Sequence, residues 1–301
     1  MAKRPARSQN DRRQRAEGRA QAGGKRRAAQ AAPEPITPSP KPPPIWEVEM
    51  LAKQLTTGRT KPLLVVARDP EGAPHHVVLK TRGDAWPAEF LVEWVSSWVG
   101  RALGLRCAEI VALSVDSSFA STLQGELVDR LIKSCGRVAG SVWFHSLSQP
   151  SQGKLSKSQQ DEAQRILGFD VYIHNPDRRA HNPNLGQYAN GFALYDHEQA
   201  LGFRIPGMLI GSIPETDPCR GIVQQHIFFQ PLKKMRGVSM APFGGSLAAL
   251  TDDWFAELRA AAPPEWLTRG CQVQLTTIID VLRTRRDLAA AWLKEVQECL
   301  M

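Results

Sequence analysis

The spacing of apolar and polar residues predicts a series of short elements between residues 45 and 115. The segment "IWEVEMLAKQL", which begins at Ile45, predicts a short helix. Residues 63–68 and 76–80 are rich in β-formers and flank the turn sequence "DPEG", so they predict a hairpin that ends on Lys80. The segment "CAEIVALSV" predicts a further strand.

A long amphipathic helix is predicted between the hairpin and that strand, in "GDAWPAEFLVEWVSSWVGRALGL". Pro87 near its first turn and Gly104 near its end are typical start and stop residues. Glu89 and Glu93 lie one turn apart beside the apolar face, where one of them can reach the preceding hairpin. The apolar face itself recurs at helical spacing through Leu91, Trp94, Val95, Trp98, Val99, Ala102 and Leu103.

A second helix is predicted from Ser156, which forms a capping-box pattern with Gln159, to about residue 173. Its apolar face consists of Ala163, Ile166, Leu167 and Val171. Asp170 lies on the same side, where a buried carboxylate costs several kcal/mol unless it accepts hydrogen bonds. Backbone amides of the following loop are the expected donors. The alternative is that Asp170 lies at the exposed edge of the face.

The loop after this helix, "NPDRRAHNPNL" at residues 175–185, is rich in polar side chains that bind metals or phosphates. A solvated turn is the alternative, because Asn, Pro and Asp favour turns for conformational reasons. The next segment contains Asn190-Gly191, a strong hairpin signal. A two-residue turn there pairs Leu185 with Asp196 and therefore places Asp196 beside the end of the loop.

Three oxygen-bearing groups then converge: Asp177, an asparagine (Asn182 or Asn184) and Asp196. A carboxylate and an amide oxygen at neighbouring strand ends suit Mg²⁺, and the other carboxylate is free to act as a base. Phosphotransferases use an Asp and an Asn five residues apart, followed by an Asp across a hairpin. With the upstream lysine and helix glutamate, the order matches that of kinases: Lys80, Glu89 or Glu93, Asp177, Asn182, Asp196.

Composition agrees with a globular protein, since 42% of the 301 residues are hydrophobic and 23% are charged. No run approaches the roughly 18 apolar residues of a membrane span, so we expect no membrane association. The five cysteines are scattered and form no CxxC pair, which favours reduced thiols and a cytoplasmic location.

The positive charge is concentrated at the N-terminus. Residues 1–30 contain ten Lys or Arg against two acidic residues, an excess that equals the net charge of +8, and the remaining chain has 28 of each sign. Residues 33–44, "PEPITPSPKPPP", contain seven prolines and predict a stiff polyproline II spacer. We therefore expect residues 1–44 to form a disordered tail, of which residues 1–30 bind RNA, DNA or another acidic surface. A solubilising tail and a mitochondrial transit peptide are the alternatives.

The catalytic-type segment "FDVYIHNPDRRAHNPNL" followed by "LYDHEQAL" resembles the HipA-like kinases, especially their shorter branch. The segments "GRTKPLLVVARDPEGAPHHVVLK", "GRALGL" and "PPEWLTRGCQVQLTTIIDVLRTRRDLAAAWL" are also similar to that family, so the resemblance covers about residues 55–297. It implies an α+β, bilobal protein-kinase-like fold that uses ATP and Mg²⁺. The implied boundaries are a small β-rich N-lobe at residues 45–135 and a mainly helical C-lobe at residues 136–301.

The resemblance also implies a role for each site residue. Lys80 would hold the α- and β-phosphates, and the spacing to "ALGL" selects Glu93 over Glu89 as its partner. Asp177 would orient and deprotonate the acceptor hydroxyl. Asn182 and Asp196 would bind the metal, with Asn184 a close alternative. Gly58 and Thr60 would lie in the loop that covers the phosphates, although no G-x-G-x-x-G sequence is present.

The function implied is an ATP-dependent serine/threonine protein kinase with a protein substrate. A non-catalytic nucleotide-binding adaptor and a lipid or small-molecule kinase are the alternatives. Three further features depart from related kinases. Asp196-His197-Glu198 stands where protein kinases have D-F-G, and the chain is shorter than the HipA toxins, without a counterpart of its basic tail among them. A toxin role and an antitoxin partner are therefore left open.

Overall fold

Five strands close into a small barrel in the N-terminal part of the fold. The computed structural model of the chain describes residues 37–56, 61–81, 87–150, 155–188, 191–202, 219–235 and 237–301. Around the barrel the strands follow the order β1, β2, β3, β5, β4. Neighbouring strands are antiparallel except for β1 and β4, which are parallel. The strands are β1 Ile45–Gln54, β2 Leu63–Arg68, β3 Pro74–Leu79, β4 Ile110–Val115 and β5 Gly136–Val142.

The prediction of a helix at "IWEVEMLAKQL" is wrong, because this segment forms strand β1. Trp46 and Val48 are buried, whereas Glu47 between them and Glu49 after them are exposed. This alternation has the two-residue period of a strand. Pairing with β2 on one side and β4 on the other provides partners for the backbone of β1 and overrides the helical propensity of its Leu, Ala and Lys residues.

The predicted hairpin is confirmed as strands β2 and β3. Their register pairs Leu63 with Leu79 and Arg68 with Pro74. The Gly72 N–H donates to the Asp69 carbonyl at 3.0 Å and closes the turn. Lys80 follows the last residue of β3 directly, so the position of its backbone is fixed by the barrel.

The predicted amphipathic helix is also confirmed, as α1 Pro87–Ala102. Its apolar face is buried between the barrel and the helical part of the chain, and Trp94 is fully buried. The strand predicted at "CAEIVALSV" corresponds to β4. Two short helices follow β4, namely α2 Ser117–Ser121 and α3 Glu126–Ile132.

The predicted boundary between the lobes at residue 135 is wrong, because β5 lies beyond it and completes the barrel. Strand β5 pairs with both β3 and β4. Its sequence, "GRVAGSV", contains two glycines and gives a weak strand signal. Lack of space explains why residue 140 is a glycine. A Cβ on Gly140 would lie 2.6 Å from side-chain atoms of both Leu113 and Val77 in the barrel interior.

The C-terminal part is mainly helical, so the mixed α+β class with a β-rich N-terminal part is confirmed. A two-stranded sheet of β6 Leu185–Tyr188 and β7 Gly191–Leu194 is its β element. A 3₁₀ turn lies at Pro264–Trp266. The helices are α4 Lys157–Tyr172, α5 Arg220–Gln225, α6 Phe229–Lys233, α7 Ala241–Leu247, α8 Asp252–Ala260, α9 Arg269–Asp287 and α10 Ala289–Leu300.

Helix α4 begins as predicted. The Ser156 hydroxyl accepts from the Gln159 N–H, and the Gln159 side chain accepts from the Ser156 N–H, which completes the capping box. The apolar face of the helix is buried in a core that is continuous with that of the barrel. Asp170, near its C-terminal end, is also fully buried.

The predicted register of the β6–β7 hairpin is wrong by two positions. Leu185 pairs with Leu194, not with Asp196, and Tyr188 pairs with Gly191. Gly191 is therefore a strand residue. A Cβ there would lie 2.9 Å from the Tyr188 hydroxyl oxygen and would collide with the Glu162 carboxylate, so the glycine provides space. A shift of two keeps each side chain on its predicted face, and Asp196 emerges two residues beyond the sheet.

Residues 37–44 are part of the folded unit, which extends over Thr37–Met301. The predicted tail of residues 1–44 is therefore too long at its C-terminal end. The Trp254 indole N–H donates to the Pro38 carbonyl at 3.0 Å, and the Ala112 N–H donates to the Pro44 carbonyl at 2.9 Å. These bonds connect the proline-rich segment to helix α8 and to strand β4. Residues 1–36 lie outside the described residues.

Among the described residues, every helix is too short or too polar to span a bilayer.

Candidate active site

Lys80 lies where the barrel meets the helical part, surrounded by carboxylates. Its Nζ lies 2.7 Å from Asp196 Oδ1, 2.9 Å from Glu198 Oε2 and 3.4 Å from Glu93 Oε2. Burial alone would lower the pKa of Lys80, but attraction to these three carboxylates, Asp196 most strongly, raises the pKa well above its usual value. Lys80 is therefore a buried ammonium ion that faces three negative charges.

Glu93, on helix α1, contacts His197 in the segment that follows β7. The His197 backbone N–H donates to Glu93 Oε2 at 2.8 Å, and His197 Nδ1 lies 3.4 Å from Glu93 Oε1. Burial would raise the pKa of Glu93, but the charge of Lys80 and the His197 contacts hold it well below its usual value. Of the two candidate glutamates, the structure places Glu93 against Lys80. Glu89 is also buried, on the same helix.

Asp196 begins the segment that supplies two of the three carboxylates around Lys80, Asp196 and Glu198. Its φ of 59° lies in the left-handed region, as does the φ of 43° at Asn184. Asp and Asn tolerate this conformation better than most residues other than glycine, and such backbone strain is concentrated at functional sites. The Asp196 side chain is 37% exposed, whereas that of Lys80 is 11% exposed, so solvent reaches Asp196 more easily.

Asp177 lies in the loop after helix α4 and holds both candidate asparagines. Its Oδ2 atom accepts from Asn182 Nδ2 at 2.8 Å and from Asn184 Nδ2 at 2.9 Å. Asn184 Nδ2 also lies 3.5 Å from the Asp196 carbonyl oxygen. The loop and the end of β7 therefore meet as predicted, although through a different register. The contacts do not select one asparagine over the other.

The expectation that backbone amides satisfy Asp170 is wrong, because side chains do so. Its carboxylate accepts from Arg178 Nε at 2.6 Å and from Asn175 Nδ2 at 2.8 Å, and it lies 3.0 Å from His226 Nε2. Burial would raise the pKa of Asp170, but Arg178 and His226 lower it to about 2. A buried ion pair therefore lies directly beneath the loop that carries Asp177.

Arg178 connects the buried Asp170 carboxylate to the backbone of Asn184. Its Nη1 atom donates to the Asn184 carbonyl and lies 3.4 Å from the Pro183 carbonyl. The Ile227 N–H donates to the Arg178 carbonyl at 3.0 Å, which fixes the backbone of the loop from its other side. Because Phe228 N–H donates to His226 Nδ1 at 3.1 Å, the ring proton of His226 lies on Nε2, where it can donate to Asp170.

The chemistry of the donor set fits Mg²⁺. Asp196 offers a partly exposed carboxylate, and the amide nitrogens of Asn182 and Asn184 are both engaged by Asp177. Both amide oxygens are therefore oriented away from Asp177. Over the described ranges, no group of three His, Cys, Asp or Glu side chains is arranged to hold a metal. Mg²⁺ commonly binds through one or two carboxylates, with phosphates and water completing its shell.

Several residues of the site were not assigned by the sequence. Glu198 departs from the D-F-G pattern, but no local sequence signal indicates its contact with Lys80. Arg178 stands beside Asp177 in the motif, which is a usable signal. His226 is 56 residues from Asp170 and has none. Gly58 and Thr60, predicted to cover the phosphates, lie outside the described residues.

Comparisons with known proteins identify the family of this chain. A solved structure of the Helicobacter pylori proinflammatory kinase CtkA is similar to this chain with a TM-score of 0.48 and 11% identity, covering 85% of this chain and 99% of that one. The search of curated proteins gave no match. The sequence model described as HipA-like kinase matches residues 48–292, which is 245 of the 301 residues. The chain therefore belongs to the HipA-like kinase family.

Proposed function

We propose that the protein is an ATP-dependent serine/threonine protein kinase that requires Mg²⁺ and has a protein-kinase-like bilobal arrangement. The observation that carries this proposal is the 2.7 Å contact between Lys80, at the end of a barrel strand, and Asp196, at the end of β7. It joins a lysine suited to phosphates to a carboxylate suited to a metal. Asp177 lies in the adjoining loop.

Lys80 would bind the phosphates of ATP. Its ammonium group is already held in position by three carboxylates, so its location does not depend on the nucleotide. Phosphates carry several negative charges and would replace Asp196 as the nearest partner. Membership of the kinase family supports this role, because phosphoryl transfer depends mainly on positioning and charge stabilisation.

Asp177 would orient the acceptor hydroxyl and accept its proton. The carboxylate is partly exposed, and two amide donors on Oδ2 fix its orientation. Oδ1 can then face the acceptor. A hydroxyl within hydrogen-bonding distance of a fixed carboxylate meets the geometric requirement for general base catalysis.

Asp196 and Asn182 would hold Mg²⁺, with Asn184 as the alternative to Asn182. The metal, when bound, would neutralise charge on the phosphates. The buried Asp170–Arg178 pair would keep the loop rigid, since Arg178 donates to the carbonyl of Asn184. Rigid support of this kind matters because small displacements of positioning groups reduce the rate strongly.

The test is transfer of radiolabelled γ-phosphate from ATP by the full-length chain with Mg²⁺, in the presence and absence of cell extract. Labelled protein bands that contain phosphoserine or phosphothreonine, and that are absent with Asp177→Asn, would support the proposal. A labelled soluble product or lipid instead would indicate a small-molecule or lipid kinase. Nucleotide binding without transfer would indicate a non-catalytic adaptor.

A further inference from the structure

Glu198 is closer to Lys80 than the helix glutamate is. Glu198 Oε2 lies 2.9 Å from Lys80 Nζ, whereas Glu93 Oε2 lies at 3.4 Å. The Glu198 side chain is only 9% exposed, so water screens this contact weakly. A buried charge-assisted hydrogen bond at this distance is among the stronger polar contacts in proteins.

Glu93 divides its carboxylate between two partners. The oxygen that faces Lys80 also accepts from the His197 N–H at 2.8 Å, a shorter contact than its 3.4 Å distance to Lys80. The other oxygen faces the His197 ring. Glu93 therefore holds the Asp196–Glu198 segment against helix α1 at least as firmly as it holds Lys80.

Asp196 cannot serve both Lys80 and a metal with full strength. It is the most exposed of the three carboxylates, and it is the one to which we assign the metal. When Asp196 binds the metal, Glu198 and Glu93 are the carboxylates that remain in contact with Lys80. Glu198 has the shorter contact of these two.

We propose that Glu198 is a positioning residue that holds Lys80 in place for the phosphates of ATP, a role that rests on the proposed function. In the tripeptide Asp196-His197-Glu198, each residue then has a separate role. Asp196 binds the metal, His197 secures Glu93 through its backbone N–H, and Glu198 orients the lysine. The segment that replaces D-F-G thereby couples the metal site directly to the phosphate site.

A purely electrostatic role for Glu198 predicts the opposite result from a positioning role. Removing a negative charge near the phosphates would by itself strengthen ATP binding. Glu198→Gln would then bind ATP more tightly, and Glu198→Asp, which keeps the charge, would resemble the wild type. If Glu198 positions Lys80, both variants weaken the use of ATP, because Gln loses the charge-assisted bond and Asp is too short to make it.

The first measurement needs no nucleotide. Acetylation of Lys80 by an amine-reactive ester, followed by peptide mass spectrometry, reports how firmly Lys80 is held, and the exposed Lys294 serves as an internal reference. We expect Lys80 in Glu198→Gln and Glu198→Asp to react several-fold faster than in the wild type. Unchanged rates in both variants would overturn the proposal, whatever the activity of the protein.

The second measurement is the KM for ATP and kcat of the full chain, with the exposed Glu109→Gln as the matched control. We expect the KM to rise about tenfold in both Glu198 variants, as for loss of one hydrogen bond between charged groups. Equal or lower KM values in both variants would contradict the positioning role.

A Lys80→Met background separates positioning from a general structural role. If Glu198 acts through Lys80, adding Glu198→Gln to Lys80→Met leaves the affinity for a non-hydrolysable Mg·ATP analogue unchanged. A further loss of similar size in that background would overturn the proposal. Wild-type protein that binds no Mg·ATP analogue would instead overturn the proposed kinase function, while the acetylation rates still test the Glu198–Lys80 contact.

Discussion

Lys80 and Asp196 are 116 residues apart in the sequence, and their Nζ and Oδ1 atoms lie 2.7 Å apart in the structure. Lys80 follows barrel strand β3, and Asp196 follows strand β7 of the helical part. The pair therefore joins the two parts of the fold at the proposed nucleotide site. Because Lys80 also contacts Glu93 and Glu198, we expect its removal to affect stability as well as the proposed nucleotide site.

Lys80→Met should lower the free energy of unfolding by about 3 kcal/mol, because three carboxylates lose their shared counter-charge in a buried site. Urea denaturation of the nucleotide-free protein measures this loss. Lys157→Met is the matched control: Lys157 pairs with Asp161, but both side chains are exposed, so the loss should stay below about 0.5 kcal/mol. Equal losses in the two variants would show that the Lys80 contacts contribute little.

Asp177→Asn should lower the rate of phosphoryl transfer by about 10²–10⁴-fold, because an amide keeps the shape of the side chain but cannot accept a proton. Nucleotide affinity should remain within a factor of about two, since Asp177 does not contact Lys80 among the contacts described. Single-turnover assays and calorimetry with an ATP analogue measure the two quantities. A variant that transfers phosphate at the wild-type rate would exclude Asp177 as the base.

The metal ligands can be identified by titrating Mg²⁺ against ATP binding. Asp196→Ala and Asn182→Ala should each weaken the Mg²⁺-dependent part of binding by about tenfold or more, and the double variant should lose less than the sum, since both ligands serve one site. Asn184→Ala is the comparison variant. It shares the Asp177 contact with Asn182, so a small effect would assign the metal to Asn182 and a large effect would assign it to Asn184.

If the losses of ATP affinity in the two single variants add up in the double variant and do not depend on Mg²⁺, the two residues do not bind a common metal. Asp196→Ala also removes a partner of Lys80, so its metal-free binding needs a separate measurement. That value, obtained in the presence of a chelator, isolates the contribution of the metal from that of the Lys80 contact.

The elements that the sequence predicted well have strong local signals. Each of these signals depends only on neighbouring residues: the capping box at Ser156, the turn at residues 69–72 and the apolar face of helix α1. The helix prediction for strand β1 is wrong because pairing with β2 and β4 decides its conformation, and β4 is distant in sequence. Strand β5 was missed because Gly140 is selected by the space in the barrel, which no local pattern shows.

At the site, the residues of the motif converge as the sequence predicted, but their partners could not be foreseen. The hairpin register was wrong because Asn190-Gly191 is a turn signal, whereas Gly191 serves close packing against Glu162 and Tyr188. Asp170 was expected to accept from backbone amides. Its partner His226 comes from a segment beyond the site, and only the folded chain brings the two together.

Asp170→Asn should destabilise the protein by about 3 kcal/mol at pH 7, because it leaves the fully buried Arg178 without its counter-charge. The pKa of Asp170 is lowered to about 2 from its usual 3.8, so its contribution is complete above about pH 4 and is lost as the pH falls toward 2. The shift corresponds to about 2 kcal/mol. The difference between wild type and variant should therefore shrink by about this amount between pH 4 and 2.

Urea denaturation at several pH values measures this difference. Asp161→Asn is the matched control on the same helix, because Asp161 is exposed and its loss should stay below about 0.5 kcal/mol at every pH. A difference for Asp170→Asn that stays constant from pH 7 to 2 would contradict the assignment of a charged Asp170 in the folded protein.

The basic tail can be separated from the proline-rich segment by two deletions. Removing residues 1–36 deletes ten basic residues and should abolish salt-sensitive binding to RNA or DNA, because the rest of the chain is nearly balanced, with 28 basic and 27 acidic residues. The free energy of unfolding should stay unchanged. Nucleic-acid binding that survives this deletion with the same salt dependence would contradict the role of the tail.

Removing residues 1–44 should have the same effect on nucleic-acid binding and should also lower the free energy of unfolding by about 2 kcal/mol. The longer deletion removes the Pro38 carbonyl that accepts from Trp254 and the Pro44 carbonyl that accepts from Ala112. Trp254→Phe in the full-length chain removes the indole donor and part of a buried ring, so it should cost at least about 1 kcal/mol without changing nucleic-acid binding. Thermal and urea denaturation of the four proteins compare these values. If the two deletions were equally stable, the proline-rich segment would act only as a linker, and its contacts with helix α8 and strand β4 would not stabilise the fold.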